Sequence, residues 1–130
     1  MLNYPNQSNV TAFDNVALTA TYTDNDIVIA SGGMSKLAVQ IDYARGAAEA
    51  ASKMQMKLES SSDGVEWYSL VIDETSTVST ITAREWELGG TSKLNVLVDI
   101  AYPFMRLSIK ESGVVTNAGT ATIEYTLSGK

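Results

Sequence analysis

The sequence predicts an all-β domain, an antiparallel two-sheet β-sandwich, with a jelly roll as the first choice of topology. Three observations carry that reading. Apolar residues recur at every second position through most of the chain, which is the period of a half-buried strand. Clusters of Gly, Asn, Asp and Ser break those runs at short intervals. No segment holds a 3.6-residue period long enough to make a helix. About eight to nine short strands result, in a chain of 130 residues, the length of one ordinary domain. An immunoglobulin-like sandwich is the second choice. It would use fewer strands, and the buried disulfide of antibody domains cannot form in a chain without cysteine.

The elements follow in order. Residues 1–15 are punctuated by Asn3, Asn6, Asn9 and Asn15 and broken by Pro5, with no period of 2 or 3.6. They read as an extended N-terminal arm, with Tyr4 and Phe13 as apolar anchors that could reach a neighbouring subunit. Residues 16–130 read as the single sandwich domain. Val16, Leu18, Ala20 and Tyr22 share one parity, and Asp24-Asn25-Asp26 turns the chain into the short strand Ile27 to Ile29. Leu37, Val39, Ile41 and Tyr43 form a clean inner face. The alanine-rich stretch from Ala44 to Ser52 is too short to stand as a helix and reads as a loop or a single helical turn. Met54, Met56 and Leu58 alternate next, and the turn Ser61-Ser62-Asp63-Gly64 opens a hairpin. Gly accepts positive φ there, and Asp bonds its own backbone. The returning strand, Val65 to Ile72, puts Trp67 and Tyr68 on opposite faces. A polar loop, Asp73 to Ser79, leads to Thr80–Leu88, which ends at Gly89-Gly90. Leu94, Val96, Val98 and Ile100 point one way, and Lys93, Asn95, Leu97 and Asp99 the other. Tyr102-Pro103 makes a corner, because proline cannot serve a central ladder. Strands around Met105–Lys110 and Ala121–Leu127 complete the domain.

Composition narrows the chemistry. With no histidine and no cysteine, Ser-His-Asp and Cys-His triads, thiolate or imidazole metal sites and disulfides are all excluded. The fold must be held by its core alone. A net charge of -6 repels phosphate backbones and anionic membranes, so neither nucleic acid nor membrane is expected as a partner. No apolar run approaches the length of a membrane helix, and Met1 to Val10 is too polar for a secretory leader.

The remaining constellations each have a plain structural reading. Asp24 and Asp26 could ligate calcium, but aspartates dominate turns for local hydrogen-bonding reasons. Glu85 and Glu87 flank Trp86 at a strand spacing of about 7 Å, which a glycosidase pair would tolerate. Simple alternation, with Trp86 inward and the glutamates in water, accounts for them more cheaply. Trp67, Tyr68 and Trp86 could stack on sugar rings. Aromatics also populate cores and protein interfaces, and Trp67 and Tyr68 cannot both face the core. Neither a phosphate-cradling glycine loop nor a nucleophile motif is present, and no cofactor is expected.

The segment order SKLAVQIDYARG (35–46), KMQMKLESS (53–61), SSDGVEWYSLVI (61–72) and YPFMRLSIKESGVVTNAGTATIEYTLSG (102–129) resembles the small jelly-roll virion proteins of tailed bacteriophages, including capsid decoration (cement) proteins. The resemblance covers most of residues 27–129. It implies a non-enzymatic structural role in a virion, partners among capsid subunits or other virion proteins, and homo-oligomers, with trimers favoured. Related folds in tail and baseplate parts are implied as the alternative location, and a carbohydrate-binding module is the alternative role.

Overall fold

The computed structural model describes residues 7–22, 26–69, 85–100 and 102–129; residues 7–9, 26, 69 and 85 are described as backbone only. Nine strands run in the order β1 (Gln7–Ala17), β2 (Asp26–Ala30), β3 (Lys36–Ala44), β4 (Lys53–Ser61), β5 (Tyr68–Ser69), β6 (Glu85–Leu88), β7 (Ser92–Asp99), β8 (Phe104–Ser112) and β9 (Thr120–Ser128). One sheet has the order β1-β9-β3-β7, the other β2-β8-β4-β5, with β6 also on β4. All pairings are antiparallel. β5 pairs with Glu59 and Ser60, and β6 with Met54 to Lys57, so both lie along one edge of β4 with only Leu58 between them. Counted as one interrupted strand, they complete the eight-strand winding of a jelly roll, as the sequence predicts.

The inner faces follow the alternation. β3 contributes Leu37, Val39, Ile41 and Tyr43, all buried. β4 contributes Met54, Met56 and Leu58, and β8 contributes Met105, Leu107 and Ile109. Ile123 and Leu127 of β9 close the layer. Burying one such side chain contributes about 1.5–3 kcal/mol, and these residues stand in for the missing disulfides.

The amino terminus departs from the expectation. Gln7–Ala17 is an edge strand on β9, not an arm, and Phe13 is buried in the core rather than held out as an interface anchor. The register of β1 shifts three times, between Gln7 and Val10, Thr11 and Phe13, and Phe13 and Val16. Each irregularity resets the two-residue phase, which is why no period shows in the sequence. Tyr4 lies outside the described residues. The alternation from Val16 to Tyr22 does not continue as a strand either. After Ala17 the chain crosses to the other sheet, where the Tyr22 ring lies 4.5 Å from Lys57 Nζ and 4.7 Å from Lys110 Nζ.

The Asp63-Gly64 turn forms as read. Gly64 has φ +77°, and the Asp63 carboxylate accepts from the N–H groups of Val65 at 2.8 Å and Glu66 at 3.0 Å. Those donors hold the carboxyl below its usual range. They also hold Val65 and Glu66 out of the ladder, so the return strand starts only at Tyr68. Leu70 to Ile72, the loop Asp73 to Ser79 and the first half of Thr80–Leu88 lie outside the described residues. Ala44 ends β3, and residues 45–52 form a loop with Ala48 at φ 62° and no helix.

The connections gather at two poles. At the first, Leu18 N–H donates to Gly119 O at 3.0 Å and Glu111 N–H to Thr19 O at 2.8 Å, joining the β1–β2 and β8–β9 connections. At the second, Ser31 N–H donates to Pro103 O at 2.8 Å and Ile100 N–H to Ser35 O at 2.7 Å, joining β2–β3 to β7–β8.

Candidate functional site

The densest polar cluster lies at the first pole. Its centre is Glu111, which occupies the inward parity of β8 after Met105, Leu107 and Ile109 and is buried. Its Oε2 accepts from the Tyr43 hydroxyl and its Oε1 from Gly119 N–H at 2.7 Å. The Tyr43 hydroxyl also lies 3.4 Å from Ser52 Oγ. Burial pushes the Tyr43 phenol above its ordinary value, and the bond to Glu111 pushes it further.

Arg45 extends the cluster sideways. Its Nε and Nη2 donate to Ser52 O at 3.1 and 2.7 Å, and Nη2 also donates to Gly89 O at 2.5 Å. The β3–β4 loop is thereby tied to the β6–β7 connection. Glu49 ties the same loop to the β8–β9 connection. Its Oε1 accepts from Thr116 N–H at 2.6 Å and Asn117 N–H at 2.7 Å, and both carboxylate oxygens receive Val115 N–H. Asn117 returns a bond from Nδ2 to Ala47 O at 2.7 Å. Three backbone donors hold the Glu49 carboxyl below the usual range, Asn117 first, then Thr116 and Val115.

That depression fixes a pH dependence. A folded-state value below the unfolded one gives stability that is present above the ordinary carboxyl value and is lost as pH falls through the folded value. Glu49→Gln should therefore lower the denaturant midpoint by a constant amount above about pH 5, where a free glutamate is ionised. The gap to the parent should close as the pH is taken lower. Urea midpoints across a pH series check this, and a gap that widens in acid contradicts it.

The outer face of the β2-β8-β4 sheet carries a second polar row. Arg106 and Glu59 are direct cross-strand partners, and Arg106 Nε and Nη2 donate to Glu59 Oε1 at 3.0 and 2.7 Å. Trp67 caps the pair, with the Arg106 guanidinium 4.8 Å from its ring centre. Lys57 Nζ lies 3.8 Å from Glu59 on the other side and reaches on to Tyr22. On the β9-β3-β7 sheet the outer face holds a shallow groove of about 330 Å³, lined by Gln40, Asp42, Lys93, Asn95, Thr122 and Glu124.

The sequence candidates fall as follows. Trp67 is half-buried on Arg106, Tyr68 is exposed at the β5 edge, and Trp86 packs on the core from β6. They do not converge on one platform, so a sugar would meet at most part of the set. Glu87 is exposed, 3.3 Å from Lys53 Nζ and 3.3 Å from Gln55 Nε2. The side chains of Glu85 and Asp26, and the whole of Asp24, lie outside the described residues. Among the described residues no cluster of three or more carboxylates could hold a metal. Arg45, Glu49 and Glu111 are not among the sequence candidates. Glu111 had a signal: a carboxyl on the inward parity of an apolar strand. Glu49 had none, because its partners are backbone donors sixty-six to sixty-eight residues away.

Chemically, the pole is an anchor. The oxygens of Glu111 and Glu49 are occupied by donors of the protein itself, and a general acid or base needs a free oxygen facing a substrate. Among the described residues the most exposed large apolar side chains are Leu97 on β7, Val65 and Tyr68 near the second pole, and Val115 at the first, with Val28, Tyr102, Leu94 and Val114 exposed to a lesser degree.

No family model matches the chain, and no curated protein matches it. Among solved structures it is similar to XepA, described as a PBSX exported protein, with a TM-score of 0.59 and 13% identity over 97% of this chain. The match covers 37% of XepA, so the chain spans little more than a third of that protein's length. Lower likenesses are to the cleaved adhesin domain of Lys-gingipain from Porphyromonas gingivalis (TM-score 0.47, 12% identity, 98% of this chain and 90% of that one) and to Cocksfoot mottle virus (TM-score 0.39, 10% identity, 98% and 96%). At these identities the likeness is one of fold.

Proposed function

We propose that this chain is a structural protein of a virion, and within that class a capsid decoration protein of a tailed bacteriophage that bridges or stabilises shell subunits. One observation carries the reading. The buried carboxyl groups Glu49, Glu59 and Glu111 are all engaged in holding the fold, while exposed apolar side chains stand at loop tips and on a sheet edge. That division suits a part whose work is contact with other proteins. The jelly-roll order and the likeness of segment order to phage virion proteins support the same role. Self-association, virion location and capsid partners belong to this reading, and a tail or baseplate position is its variant.

Co-sedimentation tests it. Purified chain mixed with bare shells of its own virus should pellet with them at saturating stoichiometry. Binding to purified tails and not to shells would move the protein to the tail. Binding to neither would sink the proposal.

A further inference from the structure

Strand β7 is the one long sheet edge among the described residues whose ladder is neither shortened nor interrupted. The other edges are blunted: β1 by three register shifts, β2 by a length of five residues, and β5 and β6 by lengths of two and four. β7 runs eight residues with no proline, and its eight pairs to β3 keep one unbroken register. Its outer face carries Leu97, which is 82% exposed.

We infer that β7 pairs antiparallel with β7 of a second copy of this chain across a two-fold axis, joining two four-stranded sheets into one. The occupant follows from the charges. In such a pair the facing residues must share a parity, so the axis passes through a single residue. Centred on Val96, the register sets Lys93 opposite the partner's Asp99 and, by symmetry, Asp99 opposite the partner's Lys93. Within each chain Lys93 already faces Asp42, and Asp99 already faces Lys36. Across the joined sheet the row becomes Asp42, Lys93, the partner's Asp99, the partner's Lys36, with signs alternating throughout. Centring on Asn95 sets Lys93 against Leu97 of the partner subunit, and centring on Leu97 sets Asn95 against the partner's Asp99. Neither pairs opposite charges.

Both faces gain apolar contact in the same register. Leu97 comes diagonal to the partner's Leu97, about 7–8 Å apart and within reach of long side chains. On the inner face Leu94, which is 37% exposed, meets the partner's Val98, which extends the core across the seam. The pairing concerns the isolated chain and does not rest on the virion role. It places two-fold symmetry where the resemblance implies three-fold.

Sedimentation velocity on the full chain tests it. The protein should run at twice 13.9 kDa. Lys93→Asp and Asp99→Lys each place like charges across both ends of the seam, and each variant alone should run as the monomer. Mixed one to one, the two variants restore opposite charges at both ends, and the dimer should return. A parent that runs as monomer or trimer overturns the inference. So do variants that stay dimeric alone, or a mixture that stays monomeric.

Discussion

Glu111→Ala is expected to lower the melting temperature by roughly 10–20 °C, for a loss of about 3–5 kcal/mol. The substitution strips the acceptor from two buried donors at once, the Tyr43 hydroxyl and Gly119 N–H. Neither can turn to water. Tyr43 is fully buried, and Gly119 sits against the Ala44 carbonyl and the Tyr43 ring. An unpaired buried donor costs about 1–3 kcal/mol, and the vacated volume adds a cavity term. Glu111→Gln keeps one acceptor oxygen and most of the volume, so its loss should be under half as large. Tyr43→Phe keeps the packing and removes one donor, and it should fall between the parent and Glu111→Ala. Thermal melts of the three variants by circular dichroism check the order. Equal losses for alanine and glutamine would mean that the pair of acceptor oxygens, not volume, is what Glu111 supplies.

The same residue shows where the sequence could be read and where it could not. Alternation located the strands from Ile27 to Ile29 and from Leu37 to Tyr43, and those beginning at Met54, Leu94, Met105 and Ala121, because each keeps one ladder register from end to end. It failed at β1, where bulges reset the phase, and at Tyr22, whose parity matches a strand but whose ring lies with two lysines outside the other sheet. The Asp63-Gly64 turn was legible because its bonds are local, two and three residues away. The polar anchor was mostly illegible because its bonds are distant. Arg45 reaches Gly89, and Glu49 reaches Val115 to Asn117. Only folding brings those loops to one pole. The surroundings of the aromatic candidates were hidden for a related reason. Parity separated Trp67 from Tyr68 but could not show that Arg106 waits beneath the Trp67 ring.

This distribution bears on function. A site that acts on a ligand keeps polar groups unspent at the surface. Here Arg45 and Glu49 are spent between loops and Asp63 within its own turn, which makes the poles rigid platforms for their exposed tips. Val115 projects from a loop whose next two N–H groups are both held by Glu49. Val65 projects from a turn held by Asp63. Apolar groups on rigid mounts lose little entropy on contact, which favours protein association.

Gly46→Ala should be nearly as damaging as Glu111→Ala, with a loss of about 3–4 kcal/mol and a melting temperature lower by roughly 10–15 °C. The reason is close approach rather than an unusual φ. A Cβ on Gly46 would strike the carbonyl oxygen of Asn117 and lie 2.7 Å from its carbon and 3.0 Å from the Ala118 oxygen. The β8–β9 loop cannot retreat to make room. Asn117 N–H is held by Glu49, its side-chain amide by Ala47 O, and Gly119 N–H by Glu111. The methyl group therefore breaks hydrogen bonds on the β8–β9 side or forces the β3–β4 loop away from Ser52 and Gly89. Gly89→Ala is the matched control. It lies in the same pole, its Cβ would meet nothing within 4 Å, and the change should stay within about 0.5 kcal/mol. If the two alanine variants melt together, the loops at this pole yield to a methyl group. Val115 would then stand on a pliable mount, and the exposed tip would lose the rigidity that suits it to contact.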